Sequence, residues 1–265
     1  MDIKRKQTKK KNMGLLLAGV GLSLGVCSGA LFDGVELYHK HKSDGLVLLK
    51  DGAHLKQGMH KVVISDQFYE LLTFKTKEVS QKLVINGIKT AYDRLNEVNT
   101  GIQFELCTTV PKIAQDYSIK QVENFDLKND ILLYMTDKYI DDRKDVLAKV
   151  DCKTDFFTRE RTNGSIIFKK DSIFSVWKYY DDSKQTLAPQ NTCVYTLTLH
   201  ETLHYMGFAH QDDKNSIMYP HASYENTDLN SEMIEMIQKY NYVNYETNQI
   251  IQNQSNTEQT DGLTF

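Results

Sequence analysis

Hydrophobic residues recur along this chain at two different spacings, and each spacing predicts a different kind of secondary structure. Between residues 76 and 99, apolar side chains return every three or four positions, which predicts an amphipathic helix. The positions expected on its buried stripe are Val84, Ile88, Ala91, Tyr92 and Leu95. Gly101 follows Asn99 and Thr100, and this sequence is typical of the end of a helix.

Four other segments are rich in β-branched and aromatic residues, and each is predicted to form a strand. These segments cover residues 59–70, 102–110, 131–140 and 163–170. A second helix is predicted to begin near Asn191 or Thr192, since either side chain can cap a helix N-terminus.

A last helix is predicted over residues 230–241, with Asn230 as its N-terminal cap. Leu229 is expected to pack against Ile234 across the first turn of this helix. The positions expected on its buried face are Met233, Ile234, Ile237 and Tyr240.

Residues 200–220, HETLHYMGFAHQDDKNSIMYP, carry the main candidate chemistry of the chain. His200 and His204 are four positions apart, so their imidazoles leave the same face of a helix. Gly207 can take the left-handed conformation that ends a helix and turns the chain back, which brings His210 round as a third nitrogen ligand. Three protein ligands leave a zinc coordination position open for water, as in catalytic zinc sites.

Glu201 follows the first histidine and is predicted to lie on the metal side of the helix, where its carboxylate takes a proton from that water. With eight histidines in the chain, a chance His-Glu-x-x-His is expected about once in a hundred such sequences. Adding Gly207 and His210 in register lowers that expectation to roughly one in fifty thousand. The competing interpretation, an amphipathic helix with two surface histidines, gives the third histidine no role.

The HExxHxxGxxH pattern that begins at His200, with a methionine after it, resembles the metzincin superfamily of zinc endopeptidases. The short gap to Met218 and the sequence Met218-Tyr219-Pro220 are most similar to the matrixin branch of that superfamily. The resemblance implies that Met218 lies in a tight turn beneath the three histidines, where it packs as an apolar floor and is not a ligand.

The same resemblance implies an α+β metzincin-like domain over residues 59–243, in which a mixed twisted sheet packs on the active-site helix and a C-terminal helix follows. It implies a zinc endopeptidase that binds a protein or peptide substrate extended along an edge strand, expected at residues 163–170. Two other functions stay open at this point. One is a surface-anchored domain that keeps zinc for stability and binds a partner, and the other is an amidase acting on cell-wall peptides.

Two departures from the matrixin pattern limit what the resemblance implies. Leu203 stands where those enzymes usually have glycine, with no expected loss of metal ligation. No histidine occurs between His60 and His200, so the second, structural zinc of matrixins is expected to be absent and one catalytic Zn²⁺ remains. Calcium binding is left open by the sequence.

The N-terminal region has the charge pattern of a membrane-targeting segment. Residues 1–12 carry six cations and one acid, whereas residues 13–32 carry no charge and would rise about 30 Å as a helix. The basic flank places the N-terminus in the cytoplasm and everything after residue 32 outside. The segment is either a transmembrane anchor or a cleaved signal peptide, so the catalytic part is expected at the cell surface or secreted.

The remaining segments carry little chemistry of their own. Residues 33–58 are predicted to be a stalk or a short pro-segment, and the polar residues 244–265 are predicted to be a disordered tail. The chain of 265 residues is about 40% hydrophobic, enough for the core of one full domain. Its net charge of −3 shows no nucleic-acid footprint.

The four cysteines allow only one suggestion about covalent structure. Cys27 lies in the apolar segment, which leaves Cys107, Cys152 and Cys193 as an odd number in an oxidising compartment. A bridge between Cys152 and Cys193 before the second helix is one expectation, although spacing alone fixes no connectivity.

Overall fold

The computed structural model describes several ranges of the chain, and these cover most of the predicted catalytic domain. They are residues 39–40, 47–48, 53–73, 78–98, 101–126, 128–173, 189–221 and 228–239. The predictions for residues 1–12, 13–32 and 244–265 lie outside these ranges, as do those for most of residues 33–58. Among the described residues, no helix has the length and apolar character needed to cross a bilayer.

A six-stranded mixed sheet forms the centre of the domain. Two short strands, β1 (His39–Lys40) and β2 (Val47–Leu48), pair antiparallel apart from it. The sheet consists of β3 (Gly58–Ile64), β4 (Ile102–Thr108), β5 (Lys120–Gln121), β6 (Ile131–Thr136), β7 (Ala148–Thr154) and β8 (Arg161–Lys169). Its spatial order is β5-β4-β3-β6-β8-β7. All neighbours run parallel except β7, which pairs antiparallel with β8 and forms one edge.

The helices pack mainly on one face of this sheet. They are α1 (Asp66–Thr73), α2 (Glu78–Glu97), α3 (Pro111–Tyr117), the single turn α4 (Lys170–Ile173), α5 (Cys193–Met206) and the helical residues 231–239, here called α6. Helix α5 lies between α2 and the strands β7 and β8. One large hydrophobic cluster joins the sheet to α2, α5 and α6, so the motif helix runs through the core. This mixed sheet packed on helices confirms the predicted α+β fold class.

The predicted helix near residues 76–99 is confirmed as α2, and all five residues of its predicted stripe are buried. The cap predicted for the motif helix is Thr192, whose hydroxyl oxygen accepts a hydrogen bond from the backbone N–H of Tyr195 at 3.4 Å. Asn230 likewise caps α6, because its side-chain oxygen accepts from the backbone N–H of Met233 at 2.8 Å. The predicted position Tyr240 lies outside the described residues.

The strand predicted over residues 59–70 is only half correct. It ends at Ile64, and helix α1 begins two residues later. The Ser65 hydroxyl is the reason, because it accepts a hydrogen bond from the backbone N–H of Phe68 at 3.0 Å and donates to the carbonyl of Leu133 at 2.9 Å. A capping side chain therefore converts an apolar run from strand to helix.

Two other predicted strands are shorter than expected, and four strands, β1, β2, β5 and β7, were not predicted. The segment predicted over 102–110 stops at Thr108 because Pro111 starts helix α3. The segment predicted over 131–140 stops at Thr136. Strand β7 was not predicted, since every second residue from Lys149 to Lys153 is charged.

Two predictions about the region before the motif helix are wrong. The predicted edge strand 163–170 corresponds to β8, which ends at Lys169 and lies between β6 and β7, so the edge strand beside helix α5 is β7 instead. Cys107, Cys152 and Cys193 are all buried thiols outside any disulfide, so the suggested bridge is not formed. The Cys152 sulfur instead accepts a hydrogen bond from Nη1 of Arg161 at 3.3 Å.

Close packing between β8 and α5 requires a residue without a side chain at position 164. A Cβ atom at Gly164 would overlap the ring of Tyr205, which is buried on α5 next to His204. The missing side chain therefore allows the motif helix to approach the sheet closely. A Tyr205 ring displaced from this contact would carry the end of α5 with it.

We expect Gly164→Ala to destabilise the protein by about 1–3 kcal/mol, because the methyl group overpacks a core that is already full. Thermal or urea unfolding measures this loss. The control is Ser165→Ala, which removes a weak hydrogen bond to the carbonyl of Asp151 and is expected to cost about 1 kcal/mol or less. Equal stability of the two variants would contradict the packing argument.

Candidate metal centre

The three predicted ligand histidines come from one helix and the turn that follows it. His200 and His204 lie one turn apart on α5, and His204 is buried whereas His200 is partly buried. The helix ends at Gly207, whose φ of 110° is left-handed, and its N–H donates to the carbonyl of His204. The chain turns back at the end of α5, so the ring of His210 returns to the rings of His200 and His204.

The Nε2 atoms of the three rings converge on one point. Nε2 of His210 lies 3.0 Å from Nε2 of His204 and 3.3 Å from Nε2 of His200. A tetrahedral zinc site with Zn–N bonds of about 2.0–2.1 Å has nitrogen atoms about 3.3–3.4 Å apart. The spacing of the rings therefore fits a zinc ion held by these three histidines, which is the one group of potential metal ligands found among the described residues.

Backbone carbonyls fix how two of the rings are turned. Nδ1 of His200 lies 2.7 Å from the carbonyl oxygen of Ile217, and Nδ1 of His204 lies 2.8 Å from that of Phe208. A carbonyl can only accept, so each Nδ1 carries the proton. The Nε2 lone pairs then face the point of convergence, which is the tautomer that a metal requires.

Burial keeps these rings neutral. Desolvation lowers the pKa of His200, and it lowers the pKa of His204 well below its ordinary value with help from the neighbouring rings. Desolvation also lowers the pKa of His210 to about 3. Protons therefore compete weakly for the ring nitrogens at neutral pH.

Glu201 is a buried carboxyl group with one oxygen left over. Its side chain is only 3% exposed, and its Oε2 atom has no hydrogen-bond partner. Burial raises the pKa of Glu201 to about 8, opposed by a hydrogen bond from the backbone of Val150. A buried, unpaired acceptor is costly, so a free carboxyl oxygen next to the first ligand histidine marks a place for a proton-bearing partner.

The turn that contains Met218 is tied to the histidines by the main chain. Met218 is fully buried, and its carbonyl accepts a hydrogen bond from the backbone N–H of Gln211 at 2.9 Å. The Ser216 hydroxyl oxygen accepts from the backbone N–H of Met218 at 3.1 Å. Because Ile217 supplies the carbonyl that binds His200, the turn carrying Met218 also orients the first ligand.

A clamp of three side chains, Arg94, Tyr195 and Asp228, fixes the start of the described residues 228–239. The Tyr195 hydroxyl donates to Oδ1 of Asp228 at 2.7 Å, and Nε of Arg94 lies 3.5 Å from the same oxygen. Nη2 of Arg94 donates to the carbonyl of Leu229 at 3.4 Å. The clamp joins α2, α5 and the start of α6, so it holds one end of the segment that follows the Met218 turn.

Sequence reasoning missed the groups that support the predicted site residues. The supporting atoms at Val150, Phe208 and Ile217 belong to the main chain, so no side-chain pattern could reveal them. Arg161 was also missed. It is 3% exposed, and its positive charge contributes to the lowered pKa of His204. Its Nε and Nη2 atoms have no hydrogen-bond partner, and nothing in the sequence around it signals a buried cation.

The family model described as Matrixin matches residues 66–242, which is most of the chain and includes all of the site. A search of curated proteins finds no match.

We expect the affinity of the folded Glu201→Gln apoprotein for zinc to fall by about tenfold or less between pH 7.5 and pH 5.5, since this variant lacks the proton that a cation would displace from Glu201. Three histidines with an ordinary pKa near 6.5 would lose about a thousandfold over this range through proton competition. The lowered pKa values move that competition to more acidic pH. Competition with a chelator of known affinity at each pH measures the change.

The control is a peptide of residues 198–212, whose unfolded imidazoles have ordinary pKa values. The peptide should lose about a thousandfold in affinity over the same range. A loss of that size in the folded protein would show that burial does not protect the ligands.

Proposed function

Because the chain belongs to the matrixin family and is a metalloendopeptidase, we propose that it cleaves proteins or peptides outside the cytoplasm, with Glu201 as general base. In this proposal His200, His204 and His210 hold one zinc ion. The observation that carries it is the convergence of the three Nε2 atoms next to a buried carboxyl group with a free oxygen.

Zinc bound to the three rings supplies Lewis acidity, which makes a water more acidic and a peptide carbonyl more electrophilic. Glu201 removes a proton from the attacking water, whose oxygen forms the new bond to the carbonyl carbon. The carboxyl group then donates this proton to the departing nitrogen as the carbon–nitrogen bond breaks. A positive ion held by the three neutral rings would favour the carboxylate form of Glu201, whereas burial favours the protonated form, so both states would be accessible during turnover.

The hydrogen bond from Val150 connects this proton carrier to the edge of the sheet. The carbonyl of Leu147 accepts from Lys169 in β8, so odd-numbered residues at the start of β7 face β8. The N–H and C=O groups of Ala148 and Val150 therefore face away from the sheet. The Val150 N–H reaches Glu201, so a peptide paired along β7 would pass beside the carboxyl group.

Pairing along β7 requires an extended substrate, because the substrate's own main-chain groups must be free to bind the outward N–H and C=O groups of β7 that Glu201 does not use. Strand β7 replaces residues 163–170 as the proposed docking edge, since it is the strand at the edge of the sheet beside α5. Unfolded segments and loops fit this requirement, whereas helices and central strands of folded proteins do not. The proposed substrate class is thus extended polypeptide.

The proposed location outside the cytoplasm is supported by the charge pattern of the N-terminal sequence. Six cations in residues 1–12 precede twenty uncharged residues, 13–32, which favours translocation of the rest of the chain. We propose that residues 13–32 remain as a membrane anchor, with cleavage and secretion as the alternative. Either outcome places the domain outside.

Replacing Glu201 by Gln should lower turnover by about a thousandfold while zinc content stays at one ion per chain. Gln keeps the shape and an acceptor for Val150 but cannot carry the proton. Peptide cleavage assays and elemental analysis of the same sample test this. The control is Glu105→Gln, a remote carboxylate paired with Lys120. Cleavage within tenfold of wild type by the fully zinc-loaded Glu201 variant would rule out the proposed base.

The enzyme should cleave an unfolded protein in a chelator-sensitive manner and leave the native form of that protein intact. The substrates are a reduced and alkylated protein, its native form and cell-wall peptides, with Glu201→Gln as the inactive control. Release of wall peptides without cleavage of unfolded protein would indicate an amidase instead. Zinc binding without cleavage of any substrate would indicate a binding domain.

A further inference from the structure

The hairpin between β7 and β8 ends in two adjacent aromatic residues with almost no contact to the rest of the protein. Phe156 is 78% exposed and Phe157 is 89% exposed. Their rings pack edge to face with centroids 5.3 Å apart, so they form a single apolar knob. Phenylalanine is usually buried in soluble proteins. Two neighbouring exposed phenylalanines therefore indicate a surface that contacts a membrane or another molecule.

The turn that carries the two rings is held by its own hydrogen bonds. Oδ1 of Asp155 accepts from the backbone N–H groups of Phe157 at 2.9 Å and Thr158 at 2.8 Å. The N–H of Asp155 donates to the carbonyl of Glu160 at 2.8 Å, and Arg159 takes a left-handed φ of 62°. The same N–H bonds lower the pKa of Asp155, which keeps its carboxylate charged and the turn closed.

The N-terminal part of the chain joins the domain beside this turn. The N–H of His54 donates to the carbonyl of Arg159 at 3.1 Å, and the N–H of Arg161 donates to the carbonyl of His54 at 2.8 Å. The end of the hairpin and the point where the chain enters the domain therefore lie on the same face. An anchor at residues 13–32 would therefore keep this face of the domain nearest to the membrane.

The chain between the apolar segment and this face is short. Leu48 pairs with His39, so the intervening residues add only the width of a two-stranded ladder. Two segments remain, from residue 32 to residue 39 and from residue 48 to residue 53. Their greatest extended length, together with the spacing between β1 and β2, is about 45 Å. A domain on such a tether stays next to the bilayer, with its chain-entry face within reach of the lipid.

We propose that Phe156 and Phe157 insert into the headgroup region of the lipid bilayer in which residues 13–32 are anchored. The proposal rests on the membrane anchor proposed above. Aromatic rings are favoured at this depth of a membrane, where they bury apolar area without reaching the hydrocarbon centre. The turn is already closed before contact, so insertion orders little additional chain.

Insertion at the hairpin end also fixes the height of the proposed active site. Val150 lies four strand residues before Thr154, at the end where the turn begins. A strand rises about 3.3 Å per residue, and the turn adds a few residues more. The hydrogen bond between Val150 and Glu201 therefore lies no more than about 20 Å above the inserted rings. The substrates favoured by this arrangement are extended segments of surface proteins close to their own membrane anchors.

Depth-dependent fluorescence quenching tests the proposal on the full chain. Phe157→Trp is made in a Trp177→Phe background, so the introduced tryptophan is the single one. The matched control is Tyr139→Trp in the same background. Tyr139 is 50% exposed and lies against Lys169, at the opposite end of the hairpin. Both proteins are reconstituted in phosphatidylcholine–phosphatidylglycerol liposomes with and without lipids brominated near the headgroup.

The expected result is that both proteins float with the liposomes, but brominated lipid quenches only the tryptophan introduced at position 157, by at least about twofold. Equal quenching at the two positions in protein that floats would overturn the insertion while leaving the anchor intact. Failure of both proteins to float would overturn the anchor and the insertion together. Peptide cleavage measured on the same samples reports separately on the zinc endopeptidase.

Discussion

Two hydrogen bonds from imidazole rings to main-chain carbonyls determine how two of the three candidate ligand rings are turned. The bonds from His200 to Ile217 and from His204 to Phe208 fix the tautomer and the rotation of both rings. The carbonyl of Ile217 belongs to the turn before Pro220, and the carbonyl of Phe208 belongs to the turn after α5. Both turns must therefore fold locally before the rings can hold a metal. Gly207 supports this geometry by ending α5 and starting the first turn, and the close packing of α5 against β8 at Gly164 holds the helix in place.

Burial favours the neutral form of every ionisable group in this site, so it lowers the pKa of the histidines and raises the pKa of Glu201. It disfavours charge, so the histidines lose their protons and Glu201 keeps one. An apolar setting thus prepares neutral ligands and, in the absence of a cation, a neutral acid. A positive ion at the three rings would reverse the balance for Glu201 alone, because the carboxylate is attracted to it while the neutral rings are not.

Residue patterns predicted the family, the fold class and the helix that carries the motif, because each depends on side-chain identity at fixed spacing. Helix α2 was correct for the same reason. Sequence reasoning failed where one capping side chain, Ser65, overrode an apolar run, and where the charged alternation of β7 hid an edge strand. It also missed Val150, since a main-chain N–H has no signature in the sequence. The ligand and base roles of the motif residues stay predictions that the geometry supports.

The three thiols of the described domain have a consequence for how the protein can be made. Cys107, Cys152 and Cys193 are buried thiols that form no disulfide, so none of the described tertiary structure depends on an oxidant. Their burial also shields them from disulfide exchange with other chains. A reducing environment such as the bacterial cytosol therefore suits the folding of this part of the chain, because it also keeps the thiols of the unfolded chain from pairing with one another.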